Sequence, residues 1–273
     1  MKIATYHLMA NVGDMILHTL HNSGKYVDKI YIAYSPELWA YKNHGMKNND
    51  DINILKRSPY YRKIEIIIGN WKKDEDERNA VLDVARKDGI DYLITQDVDE
   101  FYPDFNKTIV EGIKNNPRYD YYWCNSHILW KNGFVCVDSD NRNVNQKMEV
   151  AVNVNSDLEF FRCRRPRLNV GNVKSTTLNG LFYHAVYMRT PEQMWSKINS
   201  WGHAKELKQA QYWFVNIWSR WTPETERLHY SRTGPVFKAV EQDLPNNVKE
   251  IIDAIRRTVE ESPEVSFPEQ HSN

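Results

Sequence analysis

The chain predicts an α/β fold: a mostly parallel sheet flanked by helices, with a smaller β-rich and helical part behind it. Three observations predict it. Strand-like and helix-like segments alternate over residues 2–103. One of those helices, from Asp74 to Gly89, carries start and stop signals at both ends. The short apolar run Tyr92-Leu93-Ile94 then breaks off in Asp97, Asp99 and Glu100, as a buried strand does where its end meets solvent. Strands that alternate with helices imply a largely parallel sheet covered on both faces.

Residues 2–7 and 29–34 read as the first two strands, and Ile16, Leu17 and Leu20 give the segment between them helical spacing. Residues 63–68 (KIEIII) read as the third. In the next helix Asp74 is placed to N-cap, with Glu77 three residues on as its capping-box partner. Arg86 and Lys87 occupy the last turn and Gly89 the C′ position. The Tyr92 strand follows as the fourth. Residues 119–137 read as β-rich with a turn at Asn132-Gly133, and Asp138 to Asn155 as a polar surface loop. Thr190-Pro191-Glu192-Gln193 starts a helix that runs toward Trp201, and an aromatic-rich helix is expected over 203–218. Val248, Ile251, Ile252, Ile255 and Val259 mark a last amphipathic helix over 246–260. The organisation read from this is a donor-side half (1–103), an acceptor-side half of the same domain (104–262) and a disordered tail (263–273).

Composition excludes several classes. Lys+Arg and Asp+Glu are 36 each, so nothing in the charge balance demands a polyanionic partner. Cys124, Cys136 and Cys163 lack metal-ligand spacing and read as reduced thiols, and no cleavable leader or membrane-length apolar run is visible. The expected location is cytoplasmic, which makes Asn106-Lys107-Thr108 a chance glycosylation sequon.

Two carboxylates two residues apart on a strand point to the same face. At a strand end they suit a hard divalent cation, Mn²⁺ or Mg²⁺, which in turn holds an anionic group such as phosphate. In parallel sheets, ligands gather beyond the carboxyl ends of the strands, where this pair lies.

With these residues in place the chain resembles the nucleotide-sugar glycosyltransferases of the Rossmann-like GT-A fold, closest to glycosyltransferase family 2. The resemblance rests on Asn11-Val12-Gly13-Asp14 after the first strand and on Val27 to Ile32. It rests further on Glu77-Arg78-Asn79 before Asp91-Tyr92-Leu93-Ile94 and the aspartates. Downstream, His184 is followed by Tyr187, Arg189, Lys197, Trp201 and His203. It implies a metal-dependent transfer of a sugar from a nucleoside-diphosphate donor, with UDP the favoured nucleotide. By match, Asp99 is the direct metal ligand, Asp97 contacts the ribose or the metal, and His184 is the third ligand. The cation stabilises charge on the departing diphosphate.

Donor contacts are expected from Tyr6, His7 and Asn11 after the first strand, Tyr34 and Ser35 after the second, and Trp71, Arg78 and Gln96. An inverting reaction needs a carboxylate base. Asp138, Asp140, Glu149, Asp157 and Glu159 fall in the acceptor-side half, and Glu159 and Asp138 are the candidates. Arg162-Cys163-Arg164-Arg165-Pro166-Arg167 reads either as a solvated turn or as a patch facing diphosphate or acceptor. A glycan or lipid-linked sugar is the favoured acceptor. With Lys174 close to the arginines in sequence, a hydroxymethylated DNA base is the alternative. A nucleotidyltransferase would share the sheet and the metal, but needs a Gly-rich loop after the first strand, which Asn11-Val12-Gly13-Asp14 barely provides. An Asp-nucleophile phosphotransferase would carry its aspartates after the first strand. A non-catalytic carbohydrate-binding protein would not need the pair at all.

Overall fold

The computed structural model describes residues 1–39, 46–169, 171–201, 204, 207, 209–229 and 237–261. The expectations for His203 and for the tail 263–273 lie outside these residues.

The alternating strands and helices of the first hundred residues form as expected. β1 (Ile3–Met9), α1 (Met15–Ser23), β2 (Lys29–Tyr34), β3 (Ile64–Ile68), α2 (Asp74–Lys87) and β4 (Tyr92–Thr95) alternate along the chain. The strands lie in the order β3-β2-β1-β4, all parallel. Strand alternation divides the core cleanly. Ile30 and Ile32 of β2 pack with Ile16 and Leu20 of α1 on one face. Tyr31 and Ala33 pack with Val81, Leu82 and Ala85 of α2 on the other. The chain runs outward from β1 through β2 to β3 and then returns to the far side of β1 for β4. That reversal makes the carboxyl ends of β1 and β4 a topological switch point, the usual place for a ligand in an open α/β sheet.

The rest of the described chain extends the same sheet. β5 (Glu100–Phe101) is followed by a wide-turned helical segment, Asn106–Glu111, that runs into the short α3 (Gly112–Asn115). Then come β6 (Tyr121–Trp130), β7 (Phe134–Asp138), β8 (Asn145–Asn153), the hairpin β9 (Leu158–Arg162) and β10 (Arg165–Leu168), and β11 (Ser175–His184). α4 (Pro191–Ser200), α5 (Ala210–Trp213), β12 (Phe237–Val240) and α6 (Asn246–Glu260) complete the described chain. The main sheet has ten strands, with β8 antiparallel between β4 and β6, and β11 parallel to β6. A second, aromatic core of Trp130, Tyr187, Trp213, Phe214 and Trp218 holds α4 and α5 against β6 and β7.

Three expectations change. Asp138 to Asn155 is not a loop throughout: residues 145–153 form β8, the strand that joins the two halves. Its polar start, Asn145-Gln146-Lys147, is exposed and hides the strand signal of Val150-Ala151-Val152. Asp74 does not cap α2; Lys73 is the N-cap residue and makes no side-chain cap bond. The aromatic helix is short, Ala210–Trp213, continued by a π-helical turn to Ser219.

The capping box of α4 forms as its sequence predicts. Gln193 N–H donates to Thr190 Oγ1 at 3.3 Å, and Thr190 N–H donates to Gln193 Oε1 at 3.1 Å. Thr190→Ala should therefore cost about 1 kcal/mol in urea unfolding.

Candidate active site

β4 ends at Thr95, so strand alternation does not aim the aspartates; a turn does. Gln96 N–H donates to the Tyr6 carbonyl and Glu100 N–H to the Asp97 carbonyl, closing a tight turn over residues 97–100. Asp97 and Asp99 leave this turn toward two different sets of cations. Asp99 is 1% exposed. Its Oδ2 accepts from Arg189 Nη2 at 2.6 Å and Lys197 Nζ at 2.7 Å, and its Oδ1 faces His184 Nε2 at 3.3 Å. Asp97 Oδ2 lies 2.7 Å from Arg164 Nη2, and Oδ1 lies 3.4 Å from Arg78 Nη2.

The positions of these cations follow from the fold. Arg78 starts the second turn of α2, held by Asp74 one turn earlier, and Arg164 occupies the β9–β10 turn, where Cys163 takes a positive φ of 48°. His184 ends β11, pinned beside the aspartate turn because Ala185 N–H donates to the Asp99 carbonyl at 2.7 Å. Lys197 is presented by the capped helix α4.

Burial raises carboxyl pKa values, and here the charge partners decide which groups escape that effect. Burial would lift Asp97, but Arg164 and Arg78 outweigh it and hold the carboxyl at about 2. Burial acts on Asp99 too, and Lys197, His184 and Arg189 hold it well below the usual carboxylate range. Glu100 goes the other way. Burial pushes it up to about 7, against Arg164 2.5 Å away. Glu77 rises to about 8 through burial and the charge of Asp74, while accepting from Tyr6 Oη and Trp39 Nε1.

The Glu77 shift has a signed consequence. Its folded value lies above the ordinary 4.5, so the stability it contributes is present below about 4.5 and lost as pH rises through about 8. Asp97 acts oppositely: its contribution is present above 3.8 and lost as pH falls toward about 2. The urea midpoint should decline from about pH 5 to about pH 8 and level off above that, and Glu77→Gln should reduce that decline.

These charges line a cavity of about 540 Å³. It runs from the ends of β1 and β2, at Leu8 and Ser35, past Asp97, Asp99 and His184, to Met148 and Glu149 of β8 and Phe237 of β12. Of the predicted donor contacts, Ser35, Arg78 and Asp97 line it. Tyr6, His7, Asn11, Tyr34, Trp71 and Gln96 do not, and each has a supporting place; Tyr34 packs against the core on the α1 face. Tyr6 bonds Glu77, and Gln96 Nε2 donates to the Glu100 carbonyl. Buried His7 is pushed down to about 4 by desolvation and meets the Gln96 carbonyl through Nδ1. Trp71 packs beside α2. Asn11, at φ 54°, donates through Nδ2 to Ser196 Oγ at 2.7 Å, tying the β1–α1 turn to α4.

The candidate bases Glu159 and Asp138 lie outside the cavity. Glu159 pairs with Arg167 on the exposed hairpin, and Asp138 pairs with Arg142 in a surface turn. Sequence reasoning missed Asp74 and Glu77 as parts of the charge network, because a helix start explains acidic residues equally well. It also missed Asp50, whose carboxylate accepts from Val12 and Gly13 N–H at 2.8–3.0 Å and so occupies the turn between β1 and α1.

A divalent ion fits one part of this site. Two adjacent ligands on an octahedral ion with bonds of about 2.1 Å stand about 3.0 Å apart; Asp99 Oδ1 and His184 Nε2 are 3.3 Å apart. No group of three or more His, Cys, Asp and Glu converges among the described residues. The protein would offer such an ion two ligands, leaving the other positions to phosphate and water, as is common for Mg²⁺. Both Asp97 oxygens face arginines.

No protein-family model and no curated protein matches the chain. Among solved structures it is similar to CMP:2-keto-3-deoxy-manno-octonic acid synthetase complexed with CTP. That match has 12% identity over 56% of this chain and 75% of that one, with a TM-score of 0.35. It is also similar to HddC from Yersinia pseudotuberculosis complexed with GMP-PN, at 12% identity over 66% and 92% with a TM-score of 0.43. A third is S. aureus TarS 1-349, at 13% identity over 81% and 75% with a TM-score of 0.36. The fold is α/β and Rossmann-like, with the charged cavity at its switch point. No helix among the described residues is long and apolar enough to cross a membrane.

Proposed function

We propose that this protein is a glycosyltransferase that moves a sugar from a nucleoside-diphosphate donor, UDP-linked by preference, to an acceptor hydroxyl with Mn²⁺ or Mg²⁺ bound. The observation that carries the reading is Asp99: a buried carboxylate beyond β4 that gathers Arg189, Lys197 and His184 in one cavity. Asp99 and His184 would hold the ion, which supplies Lewis-acid stabilisation of the leaving diphosphate. Arg189 and Lys197 stand beside them, fixed before any ligand arrives, and favour negative charge at the same place. Arg164 and Arg78 keep Asp97 ionised. The β1 and β2 ends form the nucleotide side of the cavity, and β8 and β12 form the acceptor side.

One feature weighs against nucleotidyl transfer. The amide groups after β1, which would cradle a triphosphate at a helix N-terminus, already donate to Asp50. Acceptors offering a hydroxyl on a glycan or lipid-linked sugar fit the reading; a hydroxymethylated DNA base is a narrower variant of it.

The test is incubation with MnCl₂ and a panel of UDP-glucose, UDP-galactose, UDP-N-acetylglucosamine and GDP-mannose, followed by chromatography of the nucleotides. Slow release of nucleoside diphosphate from one of them is expected. Release of pyrophosphate from a nucleoside triphosphate given a sugar phosphate, with every nucleotide-sugar inert, would contradict the reading.

A further inference from the structure

The cavity contains a carboxylate whose position suits proton transfer. Six carboxylates line it among the described residues: Glu37, Asp74, Glu77, Asp97, Asp99 and Glu149. Asp74, Asp97 and Asp99 are held by Arg78, Arg164, Arg189 and Lys197. Glu77 is engaged by Tyr6 and Trp39, and Glu37 is exposed on the nucleotide side. Glu149 alone of the six stands on the acceptor side. Among the described residues its carboxylate accepts no hydrogen bond, and its one ion pair is with Arg165 Nε at 3.9 Å.

The backbone explains how a strand residue comes to face the cavity there. β8 pairs Ala151 with Tyr122 but Glu149 with Trp123, so Val150 is an extra, bulged residue. A bulge breaks the two-residue alternation and re-aims a side chain, and the consecutive residues Met148 and Glu149 both line the cavity. The Glu149 carbonyl accepts from Thr95 Oγ1 at 3.3 Å and Arg164 Nη1 at 3.4 Å. This anchors the residue to the end of β4 and to the arginine that holds Asp97.

We propose that Glu149 is the general base for the incoming acceptor, an inference that rests on the glycosyltransferase reading. The Glu149 carboxylate takes the hydroxyl proton while the hydroxyl oxygen's electron pair forms the bond to the anomeric carbon. The bond from that carbon to the diphosphate oxygen breaks, and its electron pair leaves on the nucleoside diphosphate. The products are a glycoside of inverted anomeric configuration, a nucleoside diphosphate and protonated Glu149, which returns its proton to solvent.

The test needs no identified acceptor, because water attacking the donor must also lose a proton. With MnCl₂ and whichever of the four nucleotide-sugars wild type hydrolyses fastest, Glu149→Gln should release nucleoside diphosphate at least ~100-fold more slowly. The thermal shift given by UDP should stay as in wild type, which reports an intact donor site and fold. Sodium azide, a nucleophile with no proton to lose, should restore release in Glu149→Ala and yield a glycosyl azide of inverted configuration. Glu159→Gln and Asp138→Asn should stay within about twofold of wild type, since both act outside the cavity. Release by Glu149→Gln at near wild-type rate, no azide rescue, or retained configuration would each overturn the assignment. Should wild type itself release nothing, the glycosyltransferase reading fails first. Failure confined to the Glu149 variants sinks this inference alone.

Discussion

Asp99→Ala should abolish release of nucleoside diphosphate and the Mn²⁺-dependent thermal shift together, while lowering stability by about 3–5 kcal/mol. Both effects have one cause. Two cationic side chains and His184 converge on a carboxylate that is 1% exposed. Without it, Arg189 and Lys197 repel each other in a desolvated site with no carboxylate bridging them. Breaking a buried pair by removing one partner leaves the other uncompensated, which is why the loss exceeds what the pair itself contributes. Asp99→Asn keeps the shape and not the charge, so it should lose activity as fully as Asp99→Ala. Urea unfolding measures the stability term, and nucleotide chromatography measures the activity. A variant with wild-type turnover would remove Asp99 from the chemistry.

Arg164→Met should be the second large loss, again about 3–5 kcal/mol. Arg164 is 5% exposed and reaches Asp97 at 2.7 Å, Glu100 at 2.5 Å and the Glu149 carbonyl at 3.4 Å. It ties the β9–β10 turn to β4 and β8, so its removal leaves Glu100 without its cation and Asp97 with Arg78 alone, and frees one wall of the cavity. Glu100, already at about 7 through burial, would rise further without the guanidinium. Glu100→Gln in the same chain removes the carboxyl left without its cation. The double variant should therefore recover part of the lost stability, a coupling that a double-mutant cycle reads directly. Additive losses would show that Arg164 and Glu100 do not act as a pair.

Local signals were legible where one segment determines its own structure. The Thr190–Gln193 capping box, Gly89 at φ +66° and the apolar stripe of α6 could be read from the sequence alone. So could the four parallel strands and the place of Asp97, Asp99 and His184 at their edge. Features set by distant pairing were hidden. β8 is a strand because β4 and β6 flank it, not because Asn145-Gln146-Lys147 favours one. Asp74 reads as a cap because acidic residues at a helix start are common; its pair with Arg78 is one turn away in the same helix, and the hidden feature is that Arg78 then meets Asp97. Asp50 reaches the turn between β1 and α1 across 38 residues of chain from Val12, a closure with no local signature. Glu149 was indistinguishable from four other carboxylates until the bulge in β8 gave it a direction.

The most direct test is calorimetric titration of UDP into the protein, with and without Mn²⁺, in wild type and Asp99→Ala. Saturable one-site binding that strengthens at least about tenfold with Mn²⁺ in wild type, and loses that gain in Asp99→Ala, is the expected result. Absence of UDP binding, or binding indifferent to both Mn²⁺ and Asp99, would contradict the assignment of this cavity as a metal–diphosphate donor site.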